Sequence, residues 1–206
     1  PVIHIGHLPN VLVVHPSVQA QNVRELIAYA KANPGRLTYA SSGNGASSHL
    51  AGVLFNMVSG TDIQHIPYKG TGPALNDLLG GQVSMSFTDV LTALPHIKAG
   101  KLCVLGVTSA SRSRSLPDVP TLREQGVDMA TGSWFGLFVP KATPAAIVNK
   151  LNDAVVKILD APQVNSRLVA QGAEPVPMNV DEFSRFVRHE YESWIPIVKA
   201  SGARAE

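Results

Sequence analysis

Two short loops carry the residues best suited to chemistry, Ser41-Ser42-Gly43-Asn44-Gly45-Ala46-Ser47-Ser48 and Pro67-Tyr68-Lys69-Gly70-Thr71-Gly72. Each joins a β-prone run to a helical pattern and so brings glycine and hydroxyl side chains to a helix N-terminus. There the first turn leaves backbone N–H groups unpaired and the helix dipole is positive, a setting that favours an anion such as a carboxylate. The same residues also suit a plainer role, in which Gly43, Gly45, Gly70 and Gly72 allow tight turns and Ser47, Ser48 and Thr71 cap helices without a ligand. A third loop, Phe87-Thr88-Asp89, offers a carboxylate that either caps the next helix or accepts hydrogen bonds from a ligand amine, hydroxyl or bound water. Tyr68 supplies a phenol beside the second loop, and Trp134 either an apolar wall or a core side chain.

Other chemistries fit less well. A dinucleotide fingerprint needs glycine where Ser48 stands, and Lys69 precedes its glycines instead of following them as in a phosphate-binding loop. Ser47, His49 and Asp89 have the residue types of a hydrolytic triad, but no G-x-S-x-G turn surrounds either serine. His49 falls in a first helical turn, where a ring packed between helix and loop and bonded to a neighbour is the simpler expectation. The other six histidines have no Cys or carboxylate at ligand spacing, so neither a metal nor another cofactor is expected.

The elements that must position these loops alternate along the chain. Val11–Val14 is a β-branched run, and Asn22 with Glu25 marks the start of the helix that Pro34-Gly35 ends. Leu37–Ala40 predicts a strand leading through the first loop into a helix whose apolar Leu50, Val53, Leu54 and Met57 share one face before Gly60. Ile63–Ile66 predicts a strand before the second loop, with a helix from Pro73 to Leu79. Val83–Phe87 and Leu102–Val107 predict two more strands around a helix that ends near Lys98. This alternation predicts an α/β domain with a largely parallel sheet, whose strand-to-helix loops gather at one carboxyl edge around one crevice.

After Val107 the pattern breaks into a Ser-, Arg- and Pro-rich stretch, then a short helix with a capping box at Thr121 and Glu124. The remainder predicts one strand, WFGLFV, and three helices, the last capped by Asn179 and Glu182. One strand makes no sheet, so this tail must complete a second sheet.

Composition excludes whole classes of function. The chain has 206 residues, 45% of them apolar, with 17 Lys plus Arg against 15 Asp plus Glu. A net charge of +2 with no dense basic cluster argues against nucleic-acid binding. No apolar stretch approaches the roughly 18 to 20 residues that span a bilayer. The single cysteine, Cys103, cannot form a disulfide within the chain, and its apolar surroundings predict a buried thiol. The opening PVIHIGHLPN starts directly on β-formers, which predicts a processed or shortened chain.

The succession VLVVHPSV, LIAYAKANPGRLTYASSGNGASSHLAG, HIPYKGTGPALNDLLGGQV, IKAGKL, SLPDVPTLREQG and WFGLFVPKATP resembles the Bug-type periplasmic receptors of tripartite tricarboxylate transporters from Val11 to the end. The resemblance implies a type II-like periplasmic binding protein, an α/β fold of two lobes, each with a central largely parallel sheet flanked by helices. It implies capture of a small carboxylate (a dicarboxylate, tricarboxylate, acidic amino acid or aromatic acid) for delivery to the membrane subunits of a tripartite transporter. No chemical step is implied. On matching positions Ser42, Gly43, Asn44, Gly45 and Ser47 form the first docking loop, Tyr68, Gly70, Thr71 and Gly72 the second, and Asp89 the acidic position after the third strand. Residues 10 to 126 would be lobe two and residues 1 to 9 with 127 to 206 the remaining part of an incomplete lobe one, with hinges near 8 to 11 and 126 to 136. An incomplete first lobe would expose apolar surface and favour dimers. A sensory receptor of the same fold, or an esterase using Ser47 and His49, are the competing readings.

Overall fold

The computed structural model describes residues 1–204. Its central element is β1 (Ile3–Val14), a single 12-residue strand that belongs to two sheets. The half from Asn10 to Val14 lies between β4 (Met85–Asp89) and β5 (Cys103–Val107), antiparallel to both. The half from Ile3 to Pro9 pairs antiparallel with β6 (Gly132–Leu137), and Gly6 and His7 pair with the two-residue β7 (Glu174–Pro175). The partner change falls at Pro9, which has no N–H to give either ladder. Beside it Thr108 clasps the junction. Its Oγ1 accepts the Asn10 N–H at 3.1 Å and lies 2.7 Å from the Thr131 carbonyl.

The first sheet runs β3-β2-β4-β1-β5, with β2 (Thr38–Ser41) parallel to both β3 (Gln64–Pro67) and β4. It is therefore mixed, with four strands pointing one way and β1 running against them. The contiguous Val11-Leu12-Val13-Val14 run has a direct cause, because both faces are covered. Leu12 and Val14 pack under α1 (Val23–Ala32) and α2 (Ser47–Ser59) with Leu26, Phe55 and Phe87, while Val11 and Val13 pack on the opposite face with Leu75, Leu78 and Val90. These last three belong to α3 (Thr71–Leu79) and α4 (Val90–Lys98). A smaller core around Val2 and Ile3 packs under α5 (Ala145–Asp160) and α6 (Pro162–Ala170), and α7 (Val180–Ser201) crosses β6, where Phe183 is buried.

Local capping chemistry forms as the sequence predicts at α1, where Asn22 accepts the Glu25 N–H, and at α7, where Asn179 and Glu182 close a full capping box. Four expectations differ. The Thr121–Glu124 box forms both its hydrogen bonds but sits on a turn, because the Gly126 that follows gives the segment no length in which to propagate a helix. The helix expected from Pro73 starts two residues earlier, at Thr71. The tail contributes two strands, since the short β7 pairs with β1 as β6 does. Cys103 is exposed, because it opens β5, which pairs only with β1 at the edge of the sheet.

Candidate functional site

The three loops after β2, β3 and β4 meet at the carboxyl edge of those strands around a cavity of about 230 Å³. Ser42, Ser47 and Ser48 line it from the first loop, Thr71 from the second, and Thr88 and Asp89 from the third. Asn10 and Leu8 of β1 and Ser133 of β6 close it from the strand junction. Among the described residues Asp89 is the only charged one in the lining, so an anion here meets neutral donors and helix termini instead of a lysine or arginine.

Those termini are open. The residue before α2 is Ala46 and the residue before α3 is Gly70, and neither helix start has a side-chain cap. Ser47, Ser48 and Thr71 thus do not play the capping role that their types allow. Ser48 instead ties the first loop together, its Oγ accepting the Ser42 N–H at 3.0 Å. The two loops are joined through backbone bonds from the Gly70 N–H to the Ser42 carbonyl and from the Tyr68 N–H to the Ser41 carbonyl. At Gly43 the positive φ of 144° favours glycine.

Asp89 does cap its helix, with Oδ1 accepting from the Thr92 N–H at 2.8 Å and from the Thr92 hydroxyl. It does so while lining the cavity, so both roles expected for it coexist. Asp89→Ala should cost about 1 kcal/mol of stability through the lost cap, and Asp89→Asn much less, as urea unfolding would measure.

The sequence did not single out Asn10, Ser86 or Ser133, and it named Thr88 only as part of the third loop beside Asp89. In the β1–β4 ladder Asn10 lies opposite Asp89 and Thr88 opposite Val11; Asn10 and Thr88 are buried at the cavity, and Asn10 Nδ2 and Thr88 Oγ1 have no hydrogen-bond partner among the described residues. A buried polar atom without a partner is costly, and one beside a cavity points to an occupant that supplies the bond. No local sequence signal marks Asn10, Ser86 or Ser133, because long-range strand pairing brings them to the site.

Other expected site residues lie elsewhere. Gly43, Asn44, Gly45 and Tyr68 border a separate outer groove with Lys69 and the end of α7. The Tyr68 hydroxyl donates to Asp77 at 2.7 Å, and burial together with that carboxylate pushes its pKa up to about 12. Gly70 and Gly72 support the second loop without lining the cavity. Trp134 is displaced from this site. It packs edge-on against Phe183 and Phe186 and donates its indole N–H to Glu190 at 3.0 Å, beside a second cavity of about 310 Å³.

His49 is 4% exposed, and its Nδ1 accepts the Gly45 N–H at 3.0 Å. That nitrogen is therefore occupied, and Ser47 finds its hydroxyl contact in Ser133 at 3.3 Å instead. Burial lowers the His49 pKa, and burial with the neighbouring His49 takes His65 down to about 4. Among the described residues no group of His, Cys, Asp and Glu is arranged to hold a metal.

An α/β sheet with a cavity at its strand ends, lined by neutral donors and two open helix N-termini, is the arrangement of a small-molecule-binding fold whose donors suit an anionic group. Residues 1–203 match the model for TctC, the tripartite tricarboxylate transporter family receptor, and the chain belongs to that family. It is 37% identical to protein BugT of Bordetella pertussis over 205 residues, covering 99% of this chain and 63% of BugT. Among solved structures it resembles an R. palustris protein with adipate, at TM-score 0.85 and 36% identity over 98% of this chain and 68% of that one. It also resembles MatC from Rhodopseudomonas palustris with bound malate, at TM-score 0.78 and 31% identity over 96% and 69% of the two chains. The chain thus spans less than two thirds of its curated relative BugT. No helix among the described residues is long and apolar enough to cross a membrane.

Proposed function

We propose that this chain is the docking part of a periplasmic receptor that captures a small carboxylate-bearing metabolite and presents it to the membrane subunits of a tripartite transporter. The observation that carries the proposal is the pair of uncapped helix starts, α2 and α3, opening on one cavity. Unpaired N–H groups there bind a carboxylate, and Asn10 and Thr88 complete their hydrogen bonding on the same occupant. The Asp89 carboxylate repels that anion and favours a ligand whose far end offers a hydroxyl, an amine or a protonated acid. The adipate and malate held by the two structural relatives are small acids of this class.

Residues 10 to 126 then form the carboxylate-docking lobe, with residues 1 to 9 and 127 to 206 belonging to the other. Closure bends the chain where β1 changes sheets and where Thr131 and Gly132 cross back beside Thr108. Nothing in this scheme needs a nucleophile, and the occupied Nδ1 of His49 supports a receptor over an esterase.

The test is a thermal-shift and calorimetric titration of the full protein with adipate and malate. At about 100 times Kd a bound acid stabilises the folded state by about 2.7 kcal/mol, which raises Tm by roughly 5 to 10 °C. Ser47→Pro removes one N–H at the first position of α2, where proline is tolerated, and should weaken binding at least about tenfold while leaving the unliganded Tm in place. Affinity should also change little with salt, since among the described residues no lysine or arginine lines the cavity. Absence of any shift in a cooperative melt with both acids overturns the proposal.

A further inference from the structure

Behind the first loop three rings form a stack that crosses three elements. The Tyr39 ring of β2 lies on His65 of β3 with centroids 4.9 Å apart, and His65 lies on His49 of α2 at 3.9 Å with only 8° between the planes. Both imidazoles hold the loop. His49 Nδ1 accepts the Gly45 N–H, and His65 Nε2 meets the Ser41 hydroxyl at 2.6 Å, which in turn bonds both the N–H and the carbonyl of Gly43. We propose that the stacked His49–His65 pair is the positioning element of the docking loop and holds it in shape only while both rings are neutral.

The chemistry of the two nitrogens makes this specific. A proton on His49 Nδ1 converts the acceptor of the Gly45 N–H into a donor, so that bond is lost and two N–H groups face each other. The same proton places a charge 3.9 Å from a second ring that is itself protonatable. The groups facing the rings are Tyr39 from β2, Ser41 and each other; burial lowers the pKa of both, with the neighbouring His49 adding to the effect at His65. Burial therefore keeps both rings neutral below the ordinary imidazole range, and the loop is released only on stronger acidification. Release of a captured acid on acidification rests on the receptor reading above, whereas release of the loop does not.

The experiment follows the Gly45 amide by its NMR shift and hydrogen-exchange protection from about pH 7.5 to about 3.5, together with the ring nitrogens of His49 and His65. In the full protein without ligand, Gly45 should lose protection in step with protonation of His49, at a midpoint below 6.5. His49→Gln, which offers a non-titrating acceptor, should keep Gly45 protected through that range. His65→Phe, which keeps the stack without a second titrating ring, should leave the loss of Gly45 protection tied to the His49 midpoint, which burial alone lowers. Should the whole fold melt in the same step, the double variant His49→Gln/His65→Phe must carry Gly45 protection to lower pH, and an unchanged midpoint overturns the proposal. Gly45 protection that persists after His49 is protonated overturns it as well. The ratio of adipate affinities of the native protein and His49→Gln, at matched pH so that protonation of the probe cancels, should fall at least about fivefold on acidification. Failure of adipate to bind near neutral pH would count against the receptor reading and leave the Gly45 result to decide the latch.

Discussion

Gly52→Ala is expected to destabilise the protein by about 2 kcal/mol or more, although the substitution adds only one methyl group to a helix. A Cβ at this position of α2 would overlap Cε2 and Cζ of Tyr39, a ring that is 2% exposed. The ring cannot swing away, because its other face lies on His65 and its hydroxyl lies 3.4 Å from the His49 carbonyl. Helix propensity works in the opposite direction by about 1 kcal/mol, which is too little to offset an overlap inside a packed core. Urea unfolding should show a lower midpoint with an unchanged slope. Gly72→Ala is the matched control, since nothing lies within 4 Å of the added atom, and it should be neutral or slightly stabilising. Equal stability of the two variants would refute the packing argument. The damage should also reach the cavity, because any shift of Tyr39 moves the histidine stack on which the first loop rests.

Acid should destabilise the fold well before carboxylates are exhausted. His7 and His65 are both taken down to about 4 by burial next to a second histidine, and His4 and His49 are lowered as well. In the unfolded chain these imidazoles titrate near 6.5. Between 6.5 and about 4 the unfolded state binds protons that the folded state refuses, so stability falls as pH falls through that window. One pKa unit corresponds to about 1.4 kcal/mol, so the total is on the order of a few kcal/mol. Glu174, whose carboxyl is raised by burial, opposes this trend, because its folded form keeps a proton more readily than the unfolded one. Urea midpoints measured at about pH 7 and about pH 4.5 should differ clearly, and the double variant His7→Phe/His65→Phe should flatten the difference. A native protein as stable at the lower pH as at the higher would show that the imidazoles are not held neutral.

The fold was legible wherever the signal is local. Asn22, Asn179 and their partners three residues on form the bonds their spacing predicts, since cap and acceptor lie within one turn. The Thr121–Glu124 box shows the limit of such reasoning, because its two bonds form without a helix behind them. The β-loop-α units were legible for the same local reason, and the three loops could be assigned to one sheet edge before any strand order was known. Strand order was not legible. Nothing in Val11–Val14 announces that it runs against β4 and β5, or that the preceding residues continue the same strand into a second sheet.

The site divides along the same line. The sequence alone determined which loops would end on helix starts, and so where Ser47, Thr71 and Asp89 would gather, because glycine, hydroxyl and carboxylate side chains act on backbone within a few residues of themselves. It could not tell a capping serine from a free one, and it placed Tyr68 and Trp134 with the loops although their hydrogen bonds to Asp77 and Glu190 hold them elsewhere. Only the tertiary structure brought Asn10 opposite Asp89 at the cavity, Ser133 against Ser47 across 86 residues, and His65 onto His49. Those contacts depend on strand pairing and ring packing between segments far apart in the chain, where burial decides which polar atoms keep a partner and which are left for a ligand.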